Sequence, residues 1–397
     1  MQTSSVCKGL LASILLGAFT LASRPVLAWN DMGHEIVALI ADHYMSPAAR
    51  ERVQMLLAGD DDPLTTHDIA GAAKWADKFR ANDASDRTRD WHFADIDAGR
   101  PNIPRACFGQ LPLPAGTPAS RGPARECVID KINQFADELA DPQVSTGEQR
   151  VALKFLLNLV ADLHQPLNVA IEEGNDHGMK VRVAARTVTP GDLYGYWDDA
   201  FVHQLGTSPT EVARRLIQNI TPAQQAQWST SAPQLWALEA HQLAVIRAYG
   251  ILSEGDDHGV PLLTESYVQN AVQTIESQLS KAGVRLAYLL NESFSPAPRA
   301  RRAAHRAGDA RAGHALALNR CSNCHVVASK QTQHASEVAL APDFQAIAYT
   351  RGMSEEALGD FLHGQHPTMP TLTLTPKESR DVIAYILSLR DSRRAGR

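Results

Sequence analysis

The chain has 397 residues, 44% hydrophobic content and a formal net charge of −6. That length accommodates two or three domains, and the apolar fraction suffices for ordinary cores. The acidic balance excludes a broad basic surface for duplex DNA, so any contact with nucleic acid has to be local and confined to a site.

The first predicted element is a leader. Residues 9–22 form a short apolar run behind Lys8, and Arg24-Pro-Val-Leu-Ala28 then ends in a small residue. This predicts a secretory signal over 1–28, a mature chain starting at Trp29, and a periplasmic or secreted protein. The run is shorter than the ~20 residues of a spanning helix, and no other stretch predicts a membrane span. Apolar residues recur at helical spacing over 34–45, 127–140, 151–164 and 265–290. The Pro/Gly-rich stretch 97–125 predicts an irregular loop. Cys107 and Cys127 fall in this region, and in an exported protein the default is a disulfide between them, with two buried thiols as the alternative. Residues 179–189 alternate and predict a small hairpin. Residues 293–307 hold Pro, Ala and Arg without an apolar period and predict a solvated linker. A compact helical unit over 308–392 completes an all-α, two-domain chain whose larger domain spans 29–292.

Cys321-Ser-Asn-Cys324-His325 is the most specific motif. Two thiols can form thioethers to haem vinyl groups while the adjacent imidazole ligates iron. Met369, in His-Pro-Thr-Met-Pro, is the predicted second axial ligand because two prolines stiffen its turn. Its rivals are Met353, His363 and His366, of which Met353, beside a predicted helix start, reads as core. Thr375-Pro-Lys-Glu378 predicts a capped helix, with Val382, Ile386 and Leu389 on one face. This unit resembles a class I monohaem cytochrome c, which implies haem c, electron transfer or redox sensing, and a redox partner protein.

The larger domain carries five local words in order: Trp29 with His34; Lys74-Trp-Ala-Asp77 with Arg80; Trp91-His92-Phe93-Ala-Asp95; Asn158-Leu-Val-Ala-Asp162-Leu-His164-Gln-Pro-Leu-Asn168; and Tyr194-Gly-Tyr-Trp-Asp198 after the Gly174-Asn175-Asp176 turn. They resemble the zinc-dependent single-strand nucleases of fungi and plants, the nuclease S-one/P-one family, relatives of the trinuclear zinc phospholipases C. The resemblance implies a mostly helical domain with three zincs in a cleft. Asp162 is shared between two inner zincs. Asp77 and His92 complete one inner site, and His34 with the freed amine and carbonyl of Trp29 the other. Asp198 belongs to the outer site, Arg80 contacts phosphate, Phe93 and Asp95 meet the base, and Asn175 matches the Gly-Asn turn. The implied partners are single-stranded nucleic acid or nucleotides.

Three positions depart from that pattern: Asn158, Asn168 and Tyr194 stand where it has histidine. An amide oxygen or a neutral phenol is a poor zinc ligand. The expectation is therefore fewer than three zincs, with the outer one absent or weak, and either a residual phosphodiesterase or a binding domain that has left catalysis to the past. A phospholipase-like activity is a third possibility, against which Phe93 and Asp95 point to nucleotides. His177 reads as a surface turn residue rather than a substitute outer ligand.

Overall fold

The computed structural model describes residues 29–295 and 308–390, apart from 100, 102, 109–112, 115, 186–187, 230–232, 251, 253–259, 323–324, 329–342, 350–354, 356–357, 360–361 and 363–373. Helix accounts for 66% of the structure and strand for 4%, in agreement with an all-α chain. The larger unit is built from α1 (Asp31–Tyr44), α2 (Pro47–Ala58), α3 (Ile69–Ala72), α4 (Trp75–Asn82), α5 (Ile103–Ala106), α6 (Val128–Ala140), α7 (Thr146–Leu163), the single turn α8 (Leu193–Gly195), α9 (Pro209–Asn219), α10 (Pro222–Trp228), α11 (Pro233–Leu243) and α12 (Glu265–Ser293). No helix among the described residues is long and apolar enough to cross a membrane.

Helix α7 is the axis of the larger core. Every residue from Ala152 to Leu163 is buried, because α6 covers one side and α1, α4 and α12 approach the others. Phe135 of α6 stacks on Phe155 of α7 at 4.7 Å, with their planes 7° apart. Asn158 and Asp162 are one turn apart on this buried helix and so share a face. Polar groups buried at such depth need partners or a bound ion.

Among its described residues the irregular stretch after Asp97 holds only short turns, and Cys107 and Cys127 form a disulfide that closes it. Lys131 is fully buried behind it. Its ammonium pairs with Glu126, donates to the Ala119 carbonyl at 2.8 Å, and sits 3.8 Å from the Trp91 ring centroid. The predicted hairpin is present but shifted. Strands β1 (Arg182–Ala185) and β2 (Val188–Asp192) pair antiparallel, with Arg182 opposite Asp192. The amides of Lys180 and Val181 close the preceding turn instead, onto the carbonyls of Asn175 and Gly178. A third strand, β3 (Leu262–Leu263), adds parallel to β1, and two residues are too few to show a period in sequence.

A charged network lies under the C-terminus of α7. His164 Nδ1 donates to the Val160 carbonyl at 2.7 Å, so Nε2 accepts from Arg285 Nη1 at 2.8 Å. Burial, with Arg285 nearby, pushes the His164 pKa down to about 3. Glu239 is desolvated, yet Arg285 and Lys281 hold its carboxyl down to about 2. A depressed carboxyl pKa contributes stability above the unfolded value of 4.5, lost as pH falls toward 2. Glu239→Gln is therefore expected to destabilise at pH 7, with the gap from wild type in urea midpoint closing below about pH 4.5. A gap constant with pH contradicts this assignment.

The smaller unit contains α13 (Ala310–Arg320), α14 (Phe344–Tyr349) and α15 (Pro376–Ser388). The predicted capping box forms: Thr375 Oγ1 accepts from Glu378 N at 3.3 Å and Glu378 Oε2 from Thr375 N at 2.8 Å. Helices α13 and α15 cross with backbones nearly touching, since a Cβ on Gly313 falls 1.7 Å from the Asp381 carbonyl oxygen. Gly313→Ala cannot be relieved by a side-chain rotation and is expected to cost about 1–3 kcal/mol or more. A thermal melt followed by circular dichroism of the smaller unit's helices checks it, and an unchanged midpoint refutes the close crossing.

Candidate metal centre

Four segments deliver the buried polar cluster. Asn30 caps α1, its Oδ1 accepting from Gly33 N at 2.9 Å. Gly33 has no Cβ to meet Trp29, where one would lie 2.9 Å from the tryptophan Cβ, so Trp29 folds back over the first turn. Trp29 is fully buried, and its indole Nε1 donates to the Ala161 carbonyl on α7 at 2.8 Å. The Asn30 amide donates to the Asp198 carbonyl at 3.1 Å. Trp29 is thus tethered beside both Asp162 and Asp198. His34 follows on α1, α4 supplies Asp77 and Arg80, α7 supplies Asn158 and Asp162, and a short 3₁₀ turn (Asp90–His92) supplies His92.

Within this cluster His34 Nε2 lies 3.3 Å from both Asp77 Oδ2 and Asp162 Oδ1, and His92 Nδ1 lies 2.6 Å from Asp162 Oδ2. Asn158 Nδ2 donates to Asp77 Oδ2 at 2.8 Å and to the Ala73 carbonyl at 3.0 Å. Desolvation, then the neighbouring Asp77, raises the Asp162 carboxyl well above its ordinary range. Asp198 is raised likewise, by burial and then by Asp77, and Asp77 is raised by burial. His92 is pushed well below its ordinary value by burial, then by Arg80 and His34. His92 Nδ1 and Asp162 Oδ2 thus lie within hydrogen-bonding distance at the heart of the cluster.

The donor set fits a divalent cation. Five buried atoms in or beside the cluster lack hydrogen-bond partners: Asp77 Oδ1, His92 Nε2, Asn158 Oδ1, Asp162 Oδ1 and Asp198 Oδ1. Carboxylate oxygens and imidazole nitrogens are zinc donors. Cys107, Cys127 and Asp130 also cluster, but the two sulfurs are already joined. Arg80 is 5% exposed and faces the three carboxylates, with no side-chain hydrogen bond or ion pair among the described residues. An unpaired buried guanidinium at the mouth of an acidic centre suits a bound oxyanion.

Comparison with known proteins agrees with this architecture. Residues 29–295 match the S1/P1 nuclease family. The chain belongs to the S1/P1 nuclease family. Nuclease P1 of Penicillium citrinum is 29% identical over 286 residues, covering 66% of this chain and 97% of that protein. Nuclease S1 of Aspergillus oryzae is 25% identical over 299 residues, 70% of this chain and 96% of that protein. Residues 310–390 match the cytochrome c family. There, cytochrome c-552 of Bradyrhizobium diazoefficiens is 42% identical over 84 residues, 21% of this chain and 78% of that protein.

Beside the nuclease-domain centre, Asn168 and Tyr194 are paired. Tyr194 OH donates to Asn168 Oδ1 at 2.8 Å, and Asn168 Nδ2 donates to the Asp162 carbonyl at 3.1 Å. Burial and then Asp198 raise the Tyr194 hydroxyl well above its ordinary value, so it stays a neutral donor. Phe93 is only 6% exposed, with His177 and Tyr194 around its ring at 4.9 and 6.4 Å. Its backbone is anchored to α6, whose Val128 amide donates to the Phe93 carbonyl at 2.9 Å. The Asp95 side chain is 44% exposed beside it. Asn175 is spent on its own turn, Oδ1 accepting from Glu172 N at 3.1 Å and Nδ2 donating to Glu172 Oε2 at 3.3 Å.

His177 departs from the sequence expectation. It is buried rather than a surface turn residue, and both ring nitrogens are engaged, with Leu167 O and Asp95 Oδ1. The signal that could have found it is the flanking Gly174 and Gly178, which permit a left-handed turn that aims the side chain inward.

In the cytochrome c domain Cys321 ends α13, and the His325 amide donates to its carbonyl at 2.9 Å. Both side chains are buried, and the His325 ring lies 5.4 Å from Phe344. A buried thiol and imidazole joined by one turn fit covalent haem attachment. Cys324, Met353, His363, His366 and Met369 lie outside the described residues.

Proposed function

We propose that the nuclease domain is a zinc-dependent phosphodiesterase that cleaves single-stranded nucleic acid or 3′-nucleotides from inner zinc sites alone. The observation that carries this is charge. Three buried carboxylates, Asp77, Asp162 and Asp198, face one buried guanidinium, Arg80. Such an excess is stable only with protons or bound cations. Asp162, His34 and the freed amine and carbonyl of Trp29 would hold one zinc, and Asp77, His92 and Asp162 the other. Zinc so held supplies an acidified water and neutralises phosphate charge. Arg80 binds and orients the phosphate, Phe93 and Asp95 engage the base, and the closed walls exclude bulk water.

The outer site is read as lost. Asn168 and Tyr194 take the places of two histidines and satisfy each other, leaving Asp198 as the remaining donor. That pairing also favours a second reading, a nuclease-fold binding domain without turnover. The two readings separate on a panel of single-stranded DNA, RNA, 3′-nucleotides and phosphatidylcholine with added zinc. Hydrolysis of the nucleic acids above an Asp77→Asn control supports the enzyme. No turnover on any of them leaves the binding domain.

Residues 1–28 are read as a removed leader and the mature protein as periplasmic or secreted. The Cys107–Cys127 disulfide and the haem motif both suit an oxidising, exported setting. The cytochrome c domain is read as carrying haem c on Cys321, Cys324 and His325, with Met369 as second axial ligand, and as exchanging electrons with a redox partner.

A further inference from the structure

The turn that follows Glu173 is unusual. Four of its five residues have left-handed backbone: Gly174 at φ 80°, Asp176 at 50°, His177 at 56° and Gly178 at 87°. Histidine adopts that conformation at a cost, so surrounding contacts must hold it. The result is an imidazole delivered inward to 5% exposure. Its Nδ1 lies 2.8 Å from the Leu167 carbonyl oxygen, and since that oxygen and a carboxylate oxygen both only accept, each ring nitrogen donates in this arrangement. Its Nε2 lies 3.1 Å from Asp95 Oδ1, and its ring lies 4.9 Å from Phe93, tilted by 38°.

We infer that His177 is a positioning residue that sets base preference by occupying one oxygen of Asp95. This rests on the nucleotide reading given above. A free carboxylate accepts two neighbouring N–H donors side by side, the pattern that guanine presents on its Watson–Crick edge. With an imidazole nitrogen held against Oδ1, that side of the carboxylate is blocked to a base edge and Oδ2 is the open acceptor, which the amino groups of adenine and cytosine satisfy as well as guanine does. His177 thereby levels the preference among bases, and it backs one side of Phe93 so that a base approaches from elsewhere.

The test is calorimetric binding of 5′-GMP, 5′-AMP and 5′-CMP to the mature, zinc-loaded protein, beside inorganic phosphate. Wild type is expected to bind GMP and AMP within about threefold of each other, since one acceptor oxygen leaves no bidentate contact to discriminate. His177→Gly removes the imidazole without straining the turn, because glycine takes positive φ freely. It should shift the ratio toward GMP by about tenfold, the scale of one bidentate base contact. His177→Asn tolerates the same backbone and keeps a side-chain N–H, and should return the ratio to near wild type. Phosphate affinity should hold in both variants, which also reports an intact fold. An unchanged GMP to AMP ratio in a phosphate-binding His177→Gly protein overturns the inference. If wild type binds no mononucleotide, or Asp95→Asn binds all three as wild type does, the base-site reading itself fails and this inference falls with it.

Discussion

Asp162→Asn is expected to abolish zinc binding at both inner positions, cut hydrolysis by at least ~10²–10³-fold, and yet stabilise the chelated protein. The first two effects follow because this carboxylate is the donor common to both proposed inner sites. The third follows from burial. Without a cation the folded chain holds the Asp162 carboxyl far above its ordinary range, first by desolvation and then by Asp77. The native state then binds more protons than the unfolded one. Stability of the chelated protein falls as pH rises above the unfolded value of 3.8. An amide carries no such penalty. In excess chelator at pH 7 the variant should gain on the order of 1 kcal/mol, about 2–4 °C in a domain of this size. Adding zinc should reverse the order, because only wild type gains binding energy. Calorimetry of both proteins with zinc and with chelator checks this. Equal responses to zinc would mean that Asp162 is not a ligand.

The second large effect concerns the outer position. Changing Asn158, Asn168 and Tyr194 together to histidine is expected to add a bound zinc and raise hydrolysis by ~10²–10³-fold, the scale of one restored electrostatic stabiliser. Tyr194→His alone should do neither. It removes the partner of Asn168 Oδ1, which is fully buried, and should cost about 1–3 kcal/mol. Changing Asn168 as well should recover part of that loss, since no group is then left unpaired. Additive costs for the two changes would show that their hydrogen bond contributes nothing. A triple variant that gains no metal would show that Asn168 and Tyr194 do not face the outer site, Asn158 lying at the inner one beside Asp77.

Much of this was legible because the strongest signals are local. The period of α1, α6, α7 and α12, the Thr375–Glu378 cap and the Cys107–Cys127 pairing follow from spacing and compartment. The resemblance of the five local words to the S1/P1 nucleases is what grouped His34, Asp77, His92 and Asp162 in one site, and the structure brings their side chains together. What stayed hidden depends on contacts between distant segments. The burial of His177 requires a left-handed turn that the flanking Gly174 and Gly178 permit but do not by themselves specify. The Asn168–Tyr194 bond joins residues 26 apart, and each substitution looked like a simple loss of a ligand when taken alone. The demand for glycine at 313 likewise arises only from α15 crossing against it, a contact between segments far apart in the chain. Strand β3 reaches β1 across nearly eighty residues of chain for two residues of pairing.

The haem c that a cytochrome c domain implies gives an internal standard of one iron per chain. Elemental analysis of protein trimmed to begin at Trp29 should therefore report one iron with one or two zincs. No zinc at all would contradict the retained inner centre, and three would contradict the lost outer one.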